Sequence, residues 1–319
     1  MKVLLACKGN EDPARLAAYL VGRFDGSQID IDVLSVIPGI EPQFVEEPVR
    51  LIAERGREYR QACAHLAALA QELAVVRPRS VRTHVEYGDP ADVILAASRR
   101  WRSELLLAGA PRRRGLLTAF RIEGVTRRLL RWADCPLELL RADSRPAADE
   151  IVLLPLPLDA ALRPPLPRLA GLPWRRGSRI HLLGILPAAL GQEHAELSPA
   201  AVLLSLQHAR DARTRASSLL ADLRDQLAVQ LPPGLEFTLE LAEGEPRHII
   251  VQRSRALQPG LLVLGHYCFG LNDASPFRSL PPAALTLSVD CPVLLLQDGN
   301  GSTLTNRKPD TARILKLAR

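Results

Sequence analysis

Aromatic residues make up only 4% of this 319-residue chain, and it holds a single methionine. Leu and Ala dominate instead, a balance that disfavours an all-β design and favours packed helices around aliphatic strands. No apolar run reaches the length needed to cross a bilayer, so no transmembrane segment is expected. The five cysteines, Cys7, Cys63, Cys135, Cys268 and Cys291, are odd in number and unclustered. Leu4-Leu5-Ala6-Cys7 has the outline of a lipoprotein cleavage box, but only six residues precede the cysteine, too few for a basic and an apolar segment. Reduced thiols in a cytoplasmic protein are the expectation. Lysine is rare outside the termini, so the net charge of +6 is carried by arginine. A solvated basic surface explains that better than a nucleic-acid or membrane patch. Also missing are a Gly-Lys-Ser/Thr phosphate loop, HExxH, CxxC and a GxSxG elbow. The seven histidines are scattered and none pairs at metal-ligand spacing, so neither a metal nor a catalytic constellation is expected.

What the chain does have is a repeat. GDPADVILAASRRWRSELLLAGAPRRRG, opening at Gly88, is followed by a basic segment and Trp132-Ala133-Asp134-Cys135-Pro136. GEPRHIIVQRSRALQPGLLVLGHYCFG, opening at Gly244, is followed by a spacer and Ser288-Val289-Asp290-Cys291-Pro292. Gly88 to Gly109 and Gly244 to Gly265 both span 21 positions, and both second glycines precede their cysteine by 26. The offset is 156 residues throughout, too long for a solenoid unit and suited to a domain.

In the first copy, Lys2–Cys7 reads as a buried strand, and Asp12-Pro13 as helix-start chemistry for a helix to Phe24. Strands follow at Ile29–Ile37, Arg82–Tyr87, Glu104–Ala108 and Pro136–Leu140, separated by helices over about Val45–Val75, Asp89–Trp101 and Gly124–Trp132. Alternating strands and helices predict a parallel sheet with right-handed crossovers. The second copy repeats the order, with strands Ile151–Leu156, Arg179–Leu186, Leu235–Leu241, Leu261–Leu264 and Pro292–Gln297, and helices over about Ala200–Val229 and Pro246–Leu257. Its first crossover, PLPLDAALRPPLPRL, carries five prolines and is expected to be short or irregular. The fold class read here is α/β, two tandem flavodoxin-like domains over residues 1–141 and 151–297. Residues 142–150 serve as a linker and 298–319 as a polar, basic tail.

The landmarks Gly88-Asp89-Pro90, Glu104–Gly109 and Cys135-Pro136, with their counterparts Gly244-Glu245-Pro246, Leu261–Gly265 and Cys291-Pro292, resemble the universal stress protein family in its tandem form. The resemblance implies a five-stranded parallel sheet of order 3-2-1-4-5 in each copy and an internal pseudo-dimer through the last strands. It also implies ATP at the carboxyl ends of the strands in those members that keep a first-strand Asp and a Gly-x-x-Gly…Gly-Ser/Thr loop. The glycines there admit phosphate oxygens to backbone amides, and the hydroxyl opens a helix whose positive end faces the anion.

Both copies depart from that pattern. In the first, Lys8 beside Gly9 stands where the Asp belongs, Gly109 keeps the first glycine, Arg112 replaces the second, and Gly124 with Thr126 approximates the Gly-hydroxyl pair. Arg112, Arg113 and Arg114 precede Gly115 and suit bidentate contact with phosphate or carboxylate. In the second, Leu156, Cys268 and Ser279-Leu280 replace the motif residues and Pro281-Pro282 follows, so no nucleotide is expected there. The reading is a non-enzymatic regulatory or scaffolding module, with ATP or another anionic ligand confined to the first copy, and with an internal pseudo-dimer, a homodimer or an unknown protein as partner. The alternatives are a nucleotide-dependent switch or weak ATPase in the first copy, and a basic module for nucleic acid or an acidic membrane surface.

Overall fold

The computed structural model describes residues 1–8, 12–24, 29–39, 48–109, 124–141, 151–158, 169–172, 174, 177–186, 199–265, 285–286 and 288–296. Gly9, the arginine run Arg112–Arg114, Gly115, the linker, residues 159–168 of the proline-rich crossover, Cys268, the Ser279–Pro282 stretch and the tail lie outside the described residues.

The first strand, β1 (Lys2–Cys7), is buried at every position after Lys2, as its apolar run requires. Asp12 then caps α1 (Pro13–Arg23), its carboxylate accepting from the amides of Ala14 at 3.1 Å and Arg15 at 3.5 Å. β2 (Asp30–Pro38), α2 (Pro48–Leu73), β3 (Ser80–Gly88), α3 (Pro90–Trp101), β4 (Leu105–Gly109), α4 (Gly124–Trp132) and β5 (Leu137–Leu140) complete the first half. The second half holds β6 (Ile151–Pro157), β7 (Arg179–Leu186), α5 (Pro199–Gln230), β8 (Glu236–Glu243), α6 (Pro246–Leu257), β9 (Leu261–Gly265) and β10 (Val293–Leu296). Right-handed crossovers set α1 and α2 on one face and α3 and α4 on the other; α1 packs on α2 and α3 on α4.

The Gly-acid-Pro motif of each copy proves to be a helix start. Gly88 turns the chain at φ +144°, Asp89 accepts from the Asp92 amide at 3.0 Å, and Pro90 occupies the first helical position. Gly244 does the same at φ +138°, with Glu245 accepting from the amides of Arg247 and His248. The Cys-Pro step also has a fold-level reason. Cys135 is buried against the Ser98 hydroxyl at 3.4 Å and Cys291 against Ser254 at 3.6 Å. The carbonyls of Pro136 and Pro292 accept from Leu106 and Leu262.

Each half has the strand order 3-2-1-4-5, and all pairings within a half are parallel. The two halves do not keep separate parallel sheets. β5 and β10 pair antiparallel and merge them into one mixed ten-stranded sheet, β3-β2-β1-β4-β5-β10-β9-β6-β7-β8. Some boundaries also differ from the sequence reading. β3 begins at Ser80, because the ladder to β2 opens at the Asp30–Ser80 pair. α2 gives way at Leu73 to a 3₁₀ turn, Ala74–Val76, closed by Arg77 at φ 51°.

Apolar side chains of β1, β4, β6 and β9 form the central core. Polar side chains line the outermost strand pairs. Asp30 receives Arg79 and the Ser80 hydroxyl, and Asp32 receives Arg82 at 2.9 and 3.2 Å and His84 at 3.1 Å. On the far side the charges are exchanged between strands: Arg179 of β7 meets Glu236 of β8, and His181 meets Thr238 and Glu240.

Candidate functional site

β1 is flanked by β2 on one side and β4 on the other, so the chain leaves the carboxyl ends of β1 and β4 in opposite directions. Such a topological switch point is the place where open α/β sheets seat ligands. Lys8 follows β1 directly and is exposed, while Cys7 behind it is buried, its sulfur 3.7 Å from the Leu34 carbonyl. To one side, the Gly39 amide donates to the Gly88 carbonyl at 3.1 Å and ties the ends of β2 and β3 together.

On the other side Gly109 ends β4. Its φ is not positive, and a Cβ there would meet nothing within 4 Å, so neither backbone nor packing among the described residues demands glycine. Gly124, the first residue of α4, is likewise unconstrained. Thr126 lies in the first turn of α4 and is 5% exposed, facing inward. The opening turn of α4 carries backbone amides that no helical carbonyl satisfies, and with them the positive end of the helix dipole. The described residues of the candidate set are therefore Lys8, Gly109, Gly124 and Thr126, distributed over the ends of β1 and β4 and the start of α4.

Arg128 is near the arginine run in sequence but is committed elsewhere. Its guanidinium reaches Asp89 at 2.6 Å and also pairs with Asp92, clamping α4 to the start of α3. Arg99 and Arg100 are similarly engaged, with Asp134 and Glu86. Much of the arginine excess in α3 and α4 is thus neutralised within the fold.

Strand register refines how the two halves compare. Val3 pairs with Leu105 and Val152 with Leu261, which makes Leu156 the counterpart of Cys7 and Pro157 that of Lys8. The sequence comparison had set Leu156 against the Asp position filled by Lys8; the ladder moves that match by one residue. Under either match no carboxylate closes the first strand of either half. Leu156 is buried, so the second half presents an apolar end where the first presents a cation.

Sequence reasoning missed the buried acids. Asp30 and Asp32 alternate on β2 opposite Ser80 and Arg82 on β3, and that matched alternation was the available signal. Glu138 on β5, bonded to Tyr19 and Arg23 of α1, gave no sequence signal at all, since its partners are more than a hundred positions away. Among the described residues no group of three or more His, Cys, Asp or Glu side chains could hold a metal ion. No described helix is long and apolar enough to cross a membrane.

No curated protein matches this sequence. Among solved structures, a universal stress protein from Archaeoglobus fulgidus is similar over 94% of this chain and 97% of its own, with TM-score 0.58 and 15% identity. A protein of unknown function from Pseudomonas aeruginosa matches over 94% and 93%, with TM-score 0.55 and 15% identity. At such identity these two likenesses establish the shared fold. Residues 1–141 match the model of the universal stress protein family.

Proposed function

We propose that this chain is a cytoplasmic regulatory or scaffolding module rather than a catalyst. Its first half holds an anionic ligand, a nucleotide foremost, and its second half serves as structural support. The observation that carries the reading is the topological switch point at the carboxyl ends of β1 and β4, where the exposed Lys8 follows β1 and α4 starts in the connection from β4 to β5. A cation and a helix start favour negative charge. Lys8 in place of an acid argues for altered base contacts and a grip directed mainly at phosphate. In the second half, buried Leu156 and the donor-free Pro157 at the corresponding strand end support a structural role.

Titration calorimetry on the full chain with ATP, ADP and cyclic dinucleotides tests this, together with chromatography for nucleotide that co-purifies. Binding by at least one of them is expected, weakened about tenfold by Lys8→Glu, which corresponds to about 1.4 kcal/mol. Absence of heat from every ligand and of any co-purified nucleotide would remove the nucleotide reading.

A further inference from the structure

Glu138 lies at the centre of β5 and is fully buried, at 0% exposure. Its carboxylate accepts from the Tyr19 hydroxyl at 2.5 Å and from Arg23 Nε at 3.3 Å, both on α1 of the same half. The strand it occupies is the one that joins the halves. There Leu137 faces Leu295, Glu138 faces Leu294, and Leu139 faces Val293. By the 156-residue repeat that runs from Cys135 to Cys291, Glu138 and Leu294 are equivalent positions. The junction is therefore centred on a local two-fold axis that passes between an acid and a leucine.

We infer that Glu138 is the residue that commits β5 to a β10 strand and keeps the β5 of a second copy from taking its place. The alternatives are set by symmetry. A second copy offers its own β5, and pairing in the same register would bring Glu138 directly opposite Glu138. Directly opposed antiparallel residues hold their Cβ atoms about 5 Å apart on one face of the sheet. Two carboxylates would then share a site closed to water, each needing its own Tyr19 and Arg23, and like charges so placed repel strongly. β10 against β10 carries no such penalty, because Leu294 would meet Leu294. Any exchange between chains that creates one β10–β10 junction, however, leaves two Glu138 strands to be satisfied. Only a β5–β10 pairing puts a single buried acid against an apolar neighbour while α1 supplies its donors. The charge thus selects a partner strand, as a single buried polar residue selects register in a coiled coil.

The test reads which strands meet. Leu294→Cys places a thiol at the axis, where it forms a disulfide between chains only if β10 pairs with β10 of another copy. It is made in two full-length backgrounds, wild type and Tyr19→Phe/Arg23→Met/Glu138→Leu. The second exchanges Tyr19, Arg23 and Glu138 for apolar groups of similar size, a kind of replacement of buried ion pairs that proteins often tolerate. Both are unfolded under reducing conditions, refolded over a range of concentrations, oxidised, and analysed by non-reducing electrophoresis with peptide mapping of the 294–294 link.

The wild-type background is expected to form little of the 294–294 link, and the apolar background at least ten times as much. Equal yields would overturn the inference. So would failure of the apolar background to refold by circular dichroism, since the network would then serve the folding of the first half and not the choice of partner.

Discussion

Asp30 is held by Arg79 and the Ser80 hydroxyl, and these hydrogen bonds bring its carboxyl down to about 2 from an ordinary 3.8. A carboxylate depressed on folding stabilises the native state above its unfolded value. That contribution is lost as pH falls from about 4 towards 2. Arg79 is largely exposed, so screening keeps the contribution near 1 kcal/mol. Asp30→Asn should lower stability at neutral pH by about that amount and flatten the acid limb of thermal melts between about pH 4 and 2. An unchanged acid limb would show that the pair is not felt.

The thiols are also separated by their surroundings. Burial pushes Cys291 up to about 11, and Cys7 and Cys135 are buried with it, whereas Cys63 is half-buried. Among the four cysteines of the described residues, iodoacetamide at about pH 8 should label Cys63 first and reach Cys7, Cys135 and Cys291 only as denaturant is added, as read by peptide mass spectrometry.

Among the elements, the starts of α3 and α6 depend on glycine for two separate reasons. Gly88 and Gly244 have φ of +144° and +138°, values that side-chain-bearing residues rarely adopt. A Cβ on Gly88 would also lie 2.9 Å from Val93 Cγ2, and one on Gly244 3.3 Å from Ile249 Cδ1. Gly88→Ala and Gly244→Ala should each cost about 1–3 kcal/mol in urea unfolding. The first should cost more, since its clash is closer; the reverse order would mean that backbone strain alone decides the loss. This motif was visible in the sequence as a repeated landmark, but its reason was not. Spacing located the turn, and only the dihedral and the neighbouring Val93 explain why a glycine stands there.

For the whole molecule, one sheet spans both halves, and among the described residues they join through three residue pairs between β5 and β10 and a hydrogen bond from Arg141 to the Thr286 carbonyl. Leu294 is completely buried there, opposite Glu138. An aspartate at 294 would set two acids against each other in the sheet centre at a cost of about 3–5 kcal/mol. Trp101 reports on the first half and Trp174 on the second. Single-tryptophan versions retaining one or the other should share a urea midpoint in the wild-type background. They should diverge in the Leu294→Asp background, as the halves lose their coupling. Coincident midpoints in both backgrounds would show that the junction does not couple the halves.

The sequence by itself determined the local order. Apolar runs, capping residues and a constant repeat offset specify strands, helix starts and two similar halves, because these depend on neighbours along the chain. Tertiary structure alone decided how charges are used. Arg128 belongs to Asp89 and Asp92, Arg79 and Arg82 to the acids of β2, and Glu138 to α1. Such pairings join residues far apart in sequence, and the desolvation that makes them matter exists only once the sheet and its helices have closed over them.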